Sequence, residues 1–290
     1  MATIGDWLEG ARIRTLPAAV APVLIGAGIA IDEGKFSLTR TLLAAGVALA
    51  FQIGSNFSND YSDGVRGTDD VRTGPPRLTG GGKVKPKTVK MAAFASFGVG
   101  ALLGLALVAV SGLWWLLAFG AACILAAWFY TGGDHPYGYM GLGEIFVLAF
   151  FGYGAVMGTV YTQTENAPWT AWVAATGVGL IACALLMVNN IRDIPTDSQV
   201  GKVTLAVRLG DRRARIAYVA LLVVPMLLAF GIALAGHPWV WLSALLLGPV
   251  ALQSRTVLGG AKGRDLIKVL RNTGLIELGY GILLLVGFAL

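Results

Sequence analysis

Long apolar runs alternate with polar connections along the whole chain. About 20 consecutive apolar residues cross the hydrocarbon core of a bilayer as a helix, so this pattern predicts nine transmembrane helices. The runs are continuous rather than alternating, which favours helices over a transmembrane β-barrel. The predicted spans are residues 16–30, 42–57, 91–111, 113–130, 145–161, 169–188, 216–235, 239–252 and 275–290.

The composition supports a membrane rather than a soluble protein. Hydrophobic residues make up 56% of the chain and charged residues only 13%, whereas soluble domains carry about 25% charged residues. The 40 glycines suit close helix packing in lipid. We therefore predict one all-α polytopic domain over residues 1–290, with nine helices around a central cavity. The lipid bilayer is therefore one of its predicted binding partners.

The basic residues predict the orientation of the chain. All but two of the 22 Lys and Arg residues fall in the amino-terminal arm and in the second, sixth and eighth connections. The positive-inside rule places these segments in the cytoplasm and the carboxyl terminus outside. The predicted location is a cell membrane, the plasma membrane of a bacterium. This placement explains the net charge of +6 without a nucleic-acid partner.

Two acidic clusters stand at the cytoplasmic ends of the second and sixth spans. In each, a pair four residues apart, Asn59 with Asp63 and Asp193 with Asp197, shares one helix face. Carboxylates held close together repel each other unless a cation lies between them. Mg²⁺ prefers oxygen ligands of this kind, completed by water and substrate phosphate. The clusters therefore predict Mg²⁺ sites, two ions in all, and Asp60 is a further candidate ligand.

This arrangement suits the ionisation of an allylic diphosphate. Metal ions and nearby cations would neutralise the charge that grows on the leaving group, and the apolar bundle would hold the prenyl tail away from water. We assign catalytic roles to Asp63, Asp193 and Lys202. The candidate substrate-binding residues in and beside the clusters are Asn56, Arg72, Arg77, Asn190, Arg192 and Lys202.

A glycine-rich connection, residues 131–143, lies on the same predicted face. Tyr130, Tyr137 and Tyr139 are candidates for stacking on or hydrogen bonding to an aromatic acceptor, and Glu144 follows at the mouth of the fifth span. His135 is a candidate general base, although an electron-rich acceptor needs no strong base. The active-site loops are thus predicted to be residues 56–90, 131–144 and 190–215.

At these residues the chain resembles the UbiA superfamily of intramembrane aromatic prenyltransferases. The resemblance rests on the Asn-x-x-x-Asp and Asp-x-x-x-Asp motifs and covers essentially the whole chain. It implies that Asn59, Asp63, Asp69, Asp193 and Asp197 hold the metal ions. Asp69 departs from the commonest spacing, because position 67 is Gly.

Further stretches are most similar to the branch of that family that prenylates 1,4-dihydroxy-2-naphthoate. They are residues 11–22, 59–69, 130–139, 141–144, 192–197 and 201–205. The similarity implies a polyprenyl diphosphate donor, a dihydroxynaphthoate-type acceptor, and loss of the acceptor carboxylate to give a demethylmenaquinone.

Other readings stay open at this point. Another acceptor, such as 4-hydroxybenzoate, homogentisate or a chlorin, would suit the same motifs. An alcohol phosphotransferase would carry one extended acidic motif that includes an Ala-Arg pair, and neither acidic cluster contains such a pair. A transporter or lipid flippase would place its intramembrane charges near the midplane.

Overall fold

The computed structural model describes residues 2–67 and 77–290, and within these ranges it is helical without strands. Three 3₁₀ turns and one π-helical segment, Leu148–Gly154, interrupt or join the α-helices. The α-helices are α1 Ile4–Ala11, α2 Pro17–Asp32, α3 Leu38–Arg66, α4 Pro86–Ser111, α5 Leu116–Phe129, α6 Gly143–Val147, α7 Ala155–Thr164, α8 Trp169–Asp197, α9 Leu205–Leu234, α10 Leu247–Leu258 and α11 Arg264–Ala289.

Each of the nine predicted apolar segments falls on helix. Seven helical segments are long and apolar enough to cross a bilayer, counting α6, the π-helical segment and α7 as one. The amino-terminal arm and α2 form an eighth candidate, bent by 45°, and α5 is a shorter apolar helix of 14 residues. The chain is therefore a multi-pass membrane protein. The count of nine spans and the orientation of the termini stay predictions.

The amino-terminal arm lies outside the long helices. Thr3 and Asp6 form a capping box at the start of α1, which satisfies two backbone groups that the first helical turn leaves free. The arm ends at Arg12, whose φ of 52° is left-handed. This turn redirects the chain into a 3₁₀ turn, Ile13–Thr15, and then into α2.

Small residues bring α2 and α11 close together, as membrane helices require in the absence of a hydrophobic driving force. A Cβ atom on Gly281 would lie 2.7 Å from Ala21 Cα, and one on Gly28 would lie 2.7 Å from Leu285 Cα. Neither position accepts a larger side chain unless the backbone shifts. The main buried core joins these two helices to α8 and α9.

The other half of the bundle is packed more loosely. Helix α5 has no buried residue, although Phe119 reaches the π-helical segment near Gly154. Residues of α3, α4, α5 and α7 line a cavity on this side of the bundle. We call the end of the bundle that carries both acidic clusters the acidic end, and the opposite end, with residues 33–37, 112–115 and 165–168, the far end.

Candidate active site

The first acidic cluster occupies the last three turns of α3. Asp63 is 4% exposed, and its Oδ1 accepts a 2.8 Å hydrogen bond from the Tyr139 hydroxyl. One turn earlier, Asn59 Oδ1 accepts a 2.8 Å hydrogen bond from Thr131 Oγ1. Both predicted metal ligands thus face residues 131–141, the connection between α5 and α6.

Asp60 points elsewhere. Its carboxylate is fully buried and accepts hydrogen bonds of 2.9 Å from Leu78 N and 2.8 Å from Thr79 N. Each carboxylate oxygen therefore already receives a backbone donor. These bonds hold the segment after residue 76 against α3. In the structure Asp60 therefore binds backbone N–H groups, whereas the sequence predicted it to be a metal ligand.

The second acidic cluster lies at the end of α8, where Asp193 is 6% exposed. The Arg192 guanidinium donates two hydrogen bonds to this carboxylate, one of 2.7 Å from Nε and one of 2.5 Å from Nη2. Arg192 Nη2 also donates to Asn189 Oδ1 at 2.9 Å. A bidentate pair of this kind fixes the orientation of a buried carboxylate. The predicted substrate contact Arg192 is thus a partner of the predicted metal ligand Asp193.

Tyr139 joins the two clusters. Its hydroxyl bonds to Asp63 of the first cluster, and its ring lies 5.1 Å from Lys202 Nζ. Lys202 Nζ in turn lies 3.9 Å from Asp197 Oδ1 of the second cluster. The backbone closes the same link, because Val203 N donates to Tyr139 O at 3.0 Å. The two clusters therefore face a common centre.

Basic residues fasten the connection between α5 and α6 over this centre. Arg66 donates to the carbonyl oxygens of Thr131 and Gly133, and its guanidinium lies 5.4 Å from the Tyr139 ring. Arg208 Nη2 donates to Met140 O at 2.9 Å. Neither arginine was among the predicted site residues. Their position close to the predicted motifs in sequence was the available signal.

An apolar cavity of about 530 Å³ begins at the acidic end. Its polar rim includes Arg12, Asn56, Asn59, Tyr130 and Asn189. Along α3 the lining runs from Asn59 back to Ala44, which corresponds to about 22 Å at the helical rise of about 1.5 Å per residue. The cavity therefore extends through most of the bundle toward the far end.

Two of the three predicted tyrosines, Tyr130 and Tyr137, line this rim. Tyr137 stacks on Phe146 with ring centroids 3.9 Å apart and donates a 2.6 Å hydrogen bond to Ala126 O. Burial raises the pKa of the Tyr137 phenol above its usual range, so this residue stays a neutral donor. Tyr130 meets Tyr137 edge-on, with centroids 5.4 Å apart.

Glu144 and Asn190 form a buried pair beneath Tyr130. Asn190 Nδ2 donates to Glu144 Oε1 over 3.4 Å, and Glu144 is 9% exposed. Among the described residues, Glu144 Oε2 has no hydrogen-bond partner. Asn56, on the opposite wall, donates to Ala11 O at 2.9 Å and to Thr15 Oγ1 at 3.2 Å, so it anchors the amino-terminal arm.

Other predicted residues lie away from the rim or outside the structure's description. His135 is exposed, so its position gives no support to a role as general base. Arg77 is half-buried at the start of the second described range. Asp69 and Arg72 lie outside the described residues. Arg12 and Asn189, which line the cavity, were not predicted; Asn189 directly precedes the predicted Asn190.

The donor set fits Mg²⁺. Among residues 2–67 and 77–290, no three His, Cys, Asp or Glu side chains converge to form a complete metal site. Sites for Mg²⁺ use one or two carboxylates, with substrate phosphate and water as the other ligands. Asp63 with Asn59, and Asp193 with Asp197, supply this kind of incomplete oxygen set on either side of Tyr139.

Comparison with known proteins finds relatives over most of the chain. A 1,4-dihydroxy-2-naphthoate octaprenyltransferase of Mycobacterium tuberculosis is 49% identical over 279 residues, 96% of this chain and 94% of that protein. A protein of the same description from Escherichia coli is 40% identical over 260 residues, covering 87% and 84%.

Solved structures show the same fold at low identity. The apo structure of a UbiA homologue from Aeropyrum pernix K1 has a TM-score of 0.69 at 16% identity, covering 93% of this chain and 96% of its own. A UbiA homologue from Archaeoglobus fulgidus bound to GPP and Mg²⁺ has a TM-score of 0.63 at 14% identity, covering 97% and 99%.

The family model described as the UbiA prenyltransferase family matches residues 19–268. This match spans most of the bundle and includes both acidic clusters, so the resemblance predicted from the motifs is confirmed. The chain belongs to the UbiA prenyltransferase family.

Proposed function

We propose that this protein transfers a polyprenyl group from its diphosphate to 1,4-dihydroxy-2-naphthoate, with loss of the naphthoate carboxylate as carbon dioxide, to give a demethylmenaquinone. The observation that carries the proposal is the link from Asp63 through Tyr139 and Lys202 to Asp197, beside an apolar cavity whose lining includes Asn59 and Asn189 of the same two clusters. The curated relatives of the same description, at up to 49% identity, support the choice of acceptor.

The two clusters would hold the diphosphate from opposite sides. Asn59 and Asp63 on α3, and Asp193 and Asp197 on α8, would coordinate two Mg²⁺ ions. Bound Mg²⁺ would neutralise the negative charge that develops on the departing diphosphate. Lys202 would add a fixed positive charge at the same centre. The structures of UbiA homologues described with bound Mg²⁺ support the metal requirement.

Residues outside the metal set would keep these ligands in place. Arg192 would hold Asp193 in one orientation through its bidentate contact. Asp60 would hold the segment at Leu78 and Thr79 rather than bind metal, because both of its oxygens accept backbone N–H groups. Tyr139 would keep the connection between α5 and α6 closed over the reacting groups.

The cavity would hold the allylic end of the donor in an environment without water. Its apolar walls disfavour bulk water at the carbon that leaves the diphosphate, so the acceptor ring is the available nucleophile. An extended octaprenyl chain is about 40 Å long if its carbon backbone advances like an extended peptide backbone. A cavity of about 22 Å would therefore hold about half of such a chain and leave the rest in lipid.

The acceptor would bind at the rim, between the aromatic residues and the buried polar pair. Tyr130 and Tyr137 would contact the flat faces or edges of the naphthoate. Glu144 Oε2 would accept a hydrogen bond from an acceptor hydroxyl, while Asn190 holds the other carboxylate oxygen. Arg12 at the same rim would pair with the acceptor carboxylate.

The orientation follows from the distribution of basic residues. The acidic end would face the cytoplasm of a bacterial cell, the carboxyl terminus would lie outside, and nine spans would cross the plasma membrane. A reporter fused after Leu290 tests this topology. A cytoplasmic signal from the reporter would contradict it.

Product analysis tests the proposed reaction. Purified protein is incubated with Mg²⁺, octaprenyl diphosphate and, in separate reactions, dihydroxynaphthoate, 4-hydroxybenzoate or homogentisate, and the products are identified by mass spectrometry. We expect a decarboxylated prenyl naphthalenediol from the first acceptor alone. If another acceptor were prenylated and dihydroxynaphthoate were not, the protein would still be a prenyltransferase, but the proposed acceptor would be wrong.

A further inference from the structure

Two of the basic residues contradict the pattern that places the others at the acidic end. Lys35 and Arg40 lie at the far end, in the connection to α3 and in its first turn. Both side chains donate hydrogen bonds to backbone carbonyl groups at the carboxyl ends of helices. Lys35 Nζ donates to Thr164 O at 3.0 Å, the last residue of α7, where free carbonyl groups and the helix dipole attract a cation.

Arg40 does more, because it joins two helices. Its Nη1 donates to Thr162 O at 2.9 Å and contacts Gln163 O at 3.5 Å, both on α7. Its Nη2 donates to Val110 O at 3.2 Å on α4. The planar fork of a guanidinium can reach both sites at once, whereas the single ammonium of a lysine cannot.

A second set of contacts ties the same α7 terminus to the start of α3. Gln163 is 5% exposed, and its Oε1 accepts a hydrogen bond of 2.8 Å from Ser37 N and one of 3.4 Å from Thr41 Oγ1. Ser37 Oγ in turn caps α3 by accepting from Arg40 N at 3.4 Å. Helices α3, α4 and α7 are therefore fastened together at one point.

This point lies beside the far end of the cavity. Thr162, whose carbonyl accepts from Arg40, lines the cavity, and so do Val108, two residues before Val110, and Ala44, one turn after Arg40. Elsewhere at this end, the wall is α5, which has no buried residue of its own. Trp115, directly before α5, packs edge-on against Tyr161 of α7 with ring centroids 5.8 Å apart, and Arg40 hydrogen-bonds to both α4 and α7.

We infer that Arg40 is a positioning residue that seals the far end of the prenyl cavity against water. By bridging α4 and α7 it keeps the cavity a closed pocket, so that the distal prenyl units leave sideways into lipid and water does not reach the allylic carbon from that end. The inference uses the proposed function only in taking the cavity as the site of the prenyl chain.

Thiol labelling tests the seal without any turnover. Val108→Cys is introduced at the far end of the cavity, in a chain whose Cys123 and Cys183 are replaced by serine, and the protein is placed in lipid nanodiscs. A charged maleimide then reports access of water to position 108. We expect Arg40→Met to label about tenfold faster than the parent, because loss of the bridge between α4 and α7 makes local opening of the cavity wall easier. Arg40→Lys should also label faster.

Lys35→Met is the matched control. Lys35 caps the same helix terminus but contacts neither α4 nor the cavity lining, so this variant should label at the parent rate. Equal rates in the parent and in Arg40→Met would overturn the inference. So would equally fast labelling in Lys35→Met, because the effect would then belong to general loosening of α7.

Turnover supplies a second, chemical readout. If water enters, its oxygen bonds to the allylic carbon as the carbon–diphosphate bond breaks, a proton is released, and prenyl alcohol forms in place of prenylated acceptor. The ratio of alcohol to prenylated product should rise in Arg40→Met and Arg40→Lys and stay constant in Lys35→Met. A constant ratio in all three would contradict the seal.

Failure of the parent to prenylate any acceptor would overturn the proposed function, while the labelling result would still decide the role of Arg40.

Discussion

The hydroxyl of Tyr139 donates a 2.8 Å hydrogen bond to Asp63, a residue 76 positions earlier in the chain. The ring of the same tyrosine lies 5.1 Å from Lys202 Nζ. One side chain from the connection between α5 and α6 therefore contacts Asp63 of the first acidic cluster directly and is linked to Asp197 of the second cluster through Lys202. Tyr139 is therefore a side chain through which α3 is joined to the segment that follows α8.

Tyr139→Phe should lower kcat by about tenfold or more, because a hydrogen bond to a charged group contributes about 1.5–3 kcal/mol. The phenylalanine ring keeps its place beside Lys202, so the protein should fold and insert normally. Steady-state kinetics with saturating Mg²⁺ measures the effect. Tyr153→Phe is the control, since that hydroxyl pairs with Thr176 outside the cavity lining. Equal loss in both variants would contradict a specific role for Tyr139.

Asp60→Asn should destabilise the protein rather than abolish metal binding. An amide can accept one of the two N–H groups of Leu78 and Thr79 but presents its own N–H₂ to the other. An unsatisfied buried donor costs about 1–3 kcal/mol, which corresponds to a fall in Tm of several degrees. Thermal unfolding measures it, with the exposed Asp265→Asn as control. If the Tm were unchanged and the variant needed a higher Mg²⁺ concentration for activity, Asp60 would be a metal ligand after all.

Glu277→Leu should stabilise the protein. This carboxyl is fully buried among α11 and its neighbours, and within the described residues neither oxygen has a hydrogen-bond partner. Replacing such a group by an apolar one of similar volume removes a desolvation cost of about 1–3 kcal/mol. The Tm should rise, whereas the exposed control Glu165→Gln should leave it unchanged. A fall in Tm, or loss of turnover in a well-inserted variant, would mean that the carboxyl has a functional partner.

The contribution of Asp6 to holding the amino-terminal arm should be lost only in strong acid. The hydrogen bond from Lys83, helped by Thr3, lowers the pKa of Asp6 from 3.8 to about 2. Because the pKa of the folded state is the lower one, the stabilisation is complete above about pH 4 and is lost as the pH falls through about 2. Hydrogen exchange of residues 3–11 against pH measures this. Asp6→Asn should lack the step, and an identical profile in both proteins would refute the contribution.

Much of the fold could be predicted from the sequence, because lipid requires each span to satisfy its own backbone hydrogen bonds. All nine predicted segments fall on helix. The π-helical segment Leu148–Gly154 inside the fifth segment was not predicted, since its apolar residues suit either kind of helix. The shortness of α5 also depends on where Trp115 and Tyr130 end it, and the apolar pattern does not mark those points.

The site was predicted in part. Spacing alone places Asn59 with Asp63, and Asp193 with Asp197, on shared helix faces, and the structure links Asp63 to Asp197 through Tyr139 and Lys202. Spacing does not reveal contacts made across the fold. For this reason Asp60 was predicted to bind metal although it binds the backbone at Leu78 and Thr79. Arg12 was treated only as an orientation charge, although it lines the cavity.

The central claim is that both acidic clusters act together through Mg²⁺ on one diphosphate. Release of pyrophosphate from octaprenyl diphosphate, in the presence of dihydroxynaphthoate, tests it most directly. The parent protein should release pyrophosphate with Mg²⁺ and none with excess chelator, and Asp63→Ala and Asp193→Ala should each reduce release by at least about a thousandfold. Chelator-resistant release, or full activity in either variant, would contradict the account.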